Sequence, residues 1–254
     1  MSFDACEALV RAGDPDRFLA AQSAPSNNRK ALMAIYAVNL EIARAPWASQ
    51  EPLVAQMRLQ WWADEIDKIY PGEAVDSHEI LPALRDVIFD HNLPQSLFRA
   101  LIDARLFDIF SAPHESHDAF NAYINATSGS VMELAVRALG AGPQTLPTVR
   151  DFAFASGVAN LMRATPELLA RGRSPLPDMT GAITAEALAK LNAARANRAM
   201  VPKAATPALL AGWRTGSTLA EANKRPESIE AGLLEESPAR KMLGLRWRRL
   251  TGHW

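Results

Sequence analysis

The amino-acid sequence predicts an all-α protein, a bundle of about ten helices that forms a single domain over residues 1–254. Apolar residues recur at steps of three and four along most of the chain, which is the period of one helix face. Prolines and Pro-Gly or Gly-Pro pairs interrupt these runs where helices should stop. No short stretch alternates apolar with polar residues as a half-buried strand would.

Asp14-Pro15 reads as an N-cap followed by proline in a first turn, opening a short helix through Phe18 and Leu19. Asn27 and Asn28 are candidate caps for the next helix, whose face is Leu32, Ile35, Tyr36 and Leu40 and which Pro46 ends. From Glu51 to Tyr70 the face is Leu59, Trp62, Ile66 and Ile69, closed by Pro71-Gly72. A helix follows His78 and runs to about His91. Asn92 with Pro94 then opens another, with Phe98, Leu101, Ile102, Leu106 and Ile109 as its buried stripe.

One long helix is expected over Glu115 to Leu139, ending at Gly140-Ala141-Gly142-Pro143, and the next from Leu146 through the arginine-rich stretch at 157–177. Ala185 to Ala199 reads as an alanine-rich helix. The polar, glutamate-rich segment near 216–238 is the least ordered by composition.

With 48% hydrophobic residues the chain can bury a large core. Its 27 basic and 28 acidic residues nearly cancel, so there is no basis for general nucleic-acid affinity and no nucleic acid is expected as a partner. A lone cysteine, Cys6, permits no internal disulfide and suits a reducing compartment. The first residues carry acids early and lack an apolar run, and no stretch nears the roughly 18 apolar residues of a membrane span. The expected localisation is cytoplasmic, peripheral to the inner membrane if the basic tail docks there.

The stretch Gly157–Pro177 concentrates Arg163, Arg171 and Arg173 around Glu167. It resembles the helix "N-x-x-R-D-x-x-E-D-x-x-R-G-R-x-x-L-P" of the squalene and phytoene synthases, which condense two isoprenoid diphosphates head to head. Asn160, Arg163, Glu167, Arg171, Gly172, Arg173, Leu176 and Pro177 match that pattern, whereas Ala164 and Leu168 stand at its two aspartates. The family's other aspartate pair, after its "Y-A-F-C-R", would fall at Ala43 and Trp47, following Tyr36-Ala37-Val38-Asn39-Leu40. Further matches are Arg58-Leu59-Gln60-Trp61-Trp62, Leu101-Ile102-Asp103 with Arg105 and Asp108, and Ser128-Gly129-Ser130-Val131. The resemblance extends from about Asp16 to Trp254 and implies an isoprenoid-synthase-like bundle around a central cavity. It is narrower to a divergent branch that includes an assembly factor for respiratory complex I. That branch carries Asn39, Glu41 and Ala43, and the run Met162-Arg163-Ala164-Thr165-Pro166, in matching form.

In such enzymes carboxylates at i and i+4 on two facing helices hold Mg²⁺ against a diphosphate, and the metal draws the diphosphate away as a Lewis acid. Glu41 lies about 200° around the helix from Ala43 and cannot stand in. The sequence therefore implies no catalytic residue, no metal site and no cofactor. Tyr36, Arg58, Asn160, Arg163, Arg171 and Arg173 are the expected lining of a vestigial cavity, with the arginines pairing to acids such as Glu41 and Glu167. The resulting expectation is a non-catalytic helper in complex I assembly with a protein partner, an isoprenoid or lipid ligand, and membrane contact through the tail Arg240–Trp254. The rival is a prenyltransferase that holds Mg²⁺ through atypical ligands. His114 and His117 read as surface and capping residues, and Trp61 and Trp62 as core packing.

Overall fold

The computed structural model describes residues 2–75, 78–110, 112–177 and 179–254. Among them there are only helices and turns. In chain order these are α1 (Ser2–Gly13), α2 (Pro15–Ala21), α3 (Ser26–Arg44), α4 (Pro52–Ile69), α5 (Leu81–His91), α6 (Gln95–Arg105), α7 (His117–Ile124), α8 (Ser130–Ala138), α9 (Leu146–Ala170), α10 (Thr180–Ala196), α11 (Thr206–Leu209), α12 (Thr215–Lys224), α13 (Glu227–Glu230) and α14 (Pro238–Thr251). No helix among the described residues is long and apolar enough to cross a membrane.

Local chemistry accounts for most boundaries. The Asp14 side chain accepts from the Arg17 amide at 3.0 Å, and Pro15 occupies the first turn of α2, as expected. α3 begins one residue before Asn27, behind Pro25, so neither asparagine is its cap. Pro46 does not continue α3; it sits in a single 3₁₀ turn, Ala45–Trp47. Asn92 takes the left-handed conformation that ends α5 (φ 49°), and α6 starts only after Pro94. Leu106 falls beyond α6 and is exposed, while the rest of the expected stripe is buried.

The long helix expected over 115–139 starts instead at His117, capped by Ser116, and is interrupted by a π turn at Asn125–Gly129 between α7 and α8. Thr127 donates to the Tyr123 carbonyl at 2.7 Å there. Period alone cannot show an inserted residue of this kind. The polar stretch near 216–238 carries α12 and α13, with Leu219, Ala222 and Ile229 buried.

The centre of the bundle is α9, which packs against α8, α10, α12, α13 and the π turn. It crosses the π turn at Gly157, where an added Cβ would meet Ser128 at 2.7 Å and Ile124 at 2.8 Å. Only glycine permits that approach. The face Leu59, Trp62, Ile66, Ile69 of α4 is buried as expected.

Candidate functional site

A cavity of about 290 Å³ lies between α3, α9 and the α6–α7 region. Asn160, Ala164 and Leu168 recur every fourth residue, so α9 turns one face to it. Opposite stand Ala43, near the end of α3, and Trp47 in the turn that follows. All four positions where the resemblance places aspartates thus line one cavity, and all four are apolar. Phe107, Phe110, Ile124 and Leu161 extend the apolar wall.

The polar part of this cavity is cationic. Arg105 donates to Asp108 at 2.8 Å and to the Tyr123 hydroxyl at 2.9 Å, and that hydroxyl donates to Asp108 at 2.9 Å. Burial pushes the Tyr123 hydroxyl well above its ordinary value. Burial opposes the charge on Arg105, but Tyr123 and Asp108 outweigh it and hold the guanidinium above its usual range. Arg173 donates through Nη2 to the Ile109 carbonyl at 2.8 Å. Arg173 Nη1 and Arg105 Nε are buried without an acceptor among the described residues. Arg171 and Arg173 both lie over the Trp47 ring, 5.2 and 5.4 Å from its centroid.

A second, more polar cavity of about 560 Å³ shares Arg105, Thr127, Ser128, Asn160 and Ala164 with the first. Arg163 opens onto it, donating to Asn160 at 2.7 Å and to Asp16 at 3.1 Å. Arg214, only 5% exposed, reaches the same Asp16 oxygen at 3.1 Å and Glu235 at 3.1 Å. Burial and the neighbouring Arg214 hold Arg163 below its ordinary value.

The motif's arginines are therefore divided. Arg163 lines the polar cavity and Arg173 the apolar one, whereas Arg171, expected to line a cavity as well, lines neither and lies over the Trp47 ring. Asn160 touches both cavities. Tyr36 is buried in the core under Arg17 and lines neither, and Arg58 is exposed on α4 and lines neither. The expected partners of Arg163 also differ. Glu167 does pair with an arginine of the cluster, Arg171, at 2.5 Å, but Glu41 pairs with Arg44 at 3.5 Å, and Arg163 meets Asp16 at 3.1 Å and Glu235 at 4.0 Å.

His114 is not a surface cap. It is buried, stacked on Phe107 at 4.0 Å, and burial lowers its pKa. The cap is Ser116, and His117 Nε2 lies 2.8 Å from Glu186 on α10. Arg105 and Asp108, three residues apart, signal an ion pair in the sequence; nothing there connects Tyr123, Asp16 or Arg214 to the site.

The donor set does not suit Mg²⁺. Alanine, tryptophan and leucine offer no oxygen, and Asp108 is already committed to Arg105 and Tyr123. Among the described residues no group of three His, Cys, Asp or Glu could hold a metal ion.

The helical bundle has the isoprenoid-synthase fold. The structure superimposes on squalene synthase HpnC from Alicyclobacillus acidocaldarius with a TM-score of 0.76 and 20% identity, covering 89% of this chain and 94% of that one. On a dehydrosqualene synthase the TM-score is 0.68 at 14% identity, covering 98% and 96%. The model of the squalene/phytoene synthase family matches residues 10–201, and the chain belongs to that family. Relatives include the Drosophila melanogaster homologue of NADH dehydrogenase (ubiquinone) complex I, assembly factor 6, 28% identical over 67% of this chain and 52% of its own length. The Homo sapiens factor is 24% identical over 68% and 52%. Chloroplastic phytoene synthase of Daucus carota is 26% identical over 59% and 39%. The chain spans about half the length of the assembly factors it matches.

Proposed function

We propose that this chain is a non-catalytic member of the squalene/phytoene synthase family that helps assemble respiratory complex I by binding a protein partner. The observation that carries this reading is the convergence of Ala43, Trp47, Ala164 and Leu168 on one cavity. Ionisation of a prenyl diphosphate in this fold needs a metal electrophile, and these side chains cannot hold one. The similarity to complex I assembly factors supports the helper role. The rival transferase reading would call on Asp108, yet its carboxylate is held by Arg105 and Tyr123.

In this reading the cavity retains an isoprenoid or lipid ligand without metal. The apolar walls take the chain, and the unmatched N–H groups of Arg105 and Arg173 take an anionic or polar head. The protein works from the cytoplasmic side, peripheral to the membrane.

The test is twofold. Purified protein incubated with farnesyl or geranylgeranyl diphosphate and Mg²⁺ should yield no squalene- or phytoene-type product by mass spectrometry. Deleting the gene should lower fully assembled complex I on native gels, and the tagged protein should co-purify with complex I subunits. EDTA-sensitive turnover, or normal complex I in the deletion strain, would overturn the proposal.

A further inference from the structure

α14 carries its apolar residues on the wrong side for a helix that only packs. Leu243, Trp247 and Leu250 follow one another at steps of four and three, so they share one face. That face points to solvent: Leu243 and Trp247 are each 64% exposed and Leu250 is 85% exposed. Arg240, Arg246 and Arg249 flank the stripe, and none of them makes an ion pair with a described residue. The helix contains no acid at all.

The opposite face fastens α14 to the bundle. Leu245 is buried, Gly244 lies against the Trp213 ring, and Arg248 donates to the Trp213 carbonyl at 2.7 Å. Lys241 pairs with Glu235 at 2.6 Å. Beyond the helix, Trp254 packs on Phe152 and its carbonyl accepts from Arg195 at 3.1 Å. The outward stripe is therefore held in place from both ends rather than being a loose tail.

We propose that α14 is a docking device for an anionic lipid surface. Leu243, Trp247 and Leu250 would enter the headgroup boundary while Arg240, Arg246 and Arg249 meet lipid phosphates. A central apolar stripe between arginines is the arrangement an interfacial helix uses, lying in the membrane plane. The charge pattern selects the occupant. A face with three unpaired cations and no carboxylate complements a negatively charged bilayer, and its own charge would repel a second copy of itself. Lys241 and Arg248 are engaged inward and Arg249 reaches the Gln22 carbonyl at 3.5 Å, so the charge that can meet a bilayer comes from Arg240, Arg246 and the exposed guanidinium of Arg249. This inference is independent of what the cavity binds.

The test is flotation of the full-length protein with two kinds of vesicle, pure phosphatidylcholine and phosphatidylcholine mixed with phosphatidylglycerol. Binding is expected to the mixed vesicles only, and to weaken as salt is added. Each arginine near an anionic surface is worth about fivefold in affinity, so Arg246→Gln with Arg249→Gln should weaken binding about 25-fold. Leu243→Ser with Leu250→Ser should weaken it as well, with the same melting temperature as wild type because both side chains are exposed. Brominated lipid should quench wild-type fluorescence more than that of Trp247→Phe. Failure to float with anionic vesicles overturns the inference. So does unaltered binding by the double-serine variant. A dimer in solution that dissociates in that variant would assign the face to a second copy and would overturn it too.

Discussion

The carboxylate of Asp16 accepts from both Arg163 and Arg214, at 3.1 Å from each, joining residues 147 and 198 positions apart, while Glu235 lies 4.0 Å from Arg163 and 3.1 Å from Arg214. Replacing it with asparagine keeps the shape and removes the charge, leaving two adjacent guanidiniums in a poorly solvated place. Removing one partner of a buried ion pair costs about 3–5 kcal/mol. Asp16 is a quarter exposed, and Glu235 and Glu236 still flank Arg214 at 3.1 and 3.9 Å. These features place Asp16→Asn near the low end, about 3 kcal/mol. Arg163→Met should behave differently. Asp16 then keeps Arg214, and the burial cost and Arg214 repulsion that hold the Arg163 pKa down both disappear, so the loss is about 1 kcal/mol. For a chain of this size the two variants should melt about 6–12 °C and about 2–4 °C below wild type. In the Arg163→Met background the Asp16→Asn loss should shrink by about 1 kcal/mol, since only one cation remains to be neutralised. Calorimetry of the two single variants and the double variant measures this directly. Equal losses from the two single variants, or strict additivity, would refute the idea that Asp16 neutralises a strained pair of cations.

Gly157→Ala should cost about 1–3 kcal/mol, because its new methyl meets Ser128 and Ile124 inside contact distance where α9 crosses the π turn; a melting temperature at or above wild type would show that the crossing can relax. His114 is held neutral by burial, so it binds fewer protons folded than unfolded and its contribution to stability is full above about pH 6.5, declining as pH falls through its lowered folded pKa. Melts across that range should show His114→Gln losing less stability on acidification than wild type, and parallel curves would contradict the assignment. Burial pushes the Cys6 thiol up to about 12, and the side chain is fully buried on α1, a helix that packs against α3 and α5. A thiol reagent should therefore label Cys6 only as fast as α1 opens, which rapid stoichiometric labelling of the native protein would disprove.

Much of the fold could be read from local chemistry. Asp14-Pro15 specifies a helix start through one hydrogen bond and one fixed torsion, and Leu59, Trp62, Ile66 and Ile69 specify a buried face through spacing alone. The convergence of Ala43, Trp47, Ala164 and Leu168 was implied by motif order and is realised in the cavity wall. The partners of the charges were not legible. Asp16 meets Arg163 only through tertiary packing, and no local pattern prefers it over Glu167, which is nearer in sequence but better placed for Arg171. Tyr36, Arg58 and Arg171 sit within matching motifs yet line neither cavity, because a motif residue can serve packing, an ion pair or solvent as well as a ligand. The π turn and the burial of His114 depend on what lies across the bundle. Neighbouring residues in the chain carry no mark of either.

The position of Trp47 under Arg171 and Arg173 also bears on what an acid at that place could do. The indole offers its ring face to two cations. An aspartate placed at 47 would lie beside Arg171, already paired with Glu167, and Arg173, whose Nη1 has no acceptor among the described residues, and would be neutralised as an ion pair before any Mg²⁺ arrived. Its mates at 43, 164 and 168 would still have no charge to share with a metal. A single acid introduced here is thus silent toward metal binding, and only several introduced together would gain anything. An aromatic ring that already meets two cations makes lone acidic substitutions in this cavity wall unproductive for holding a metal.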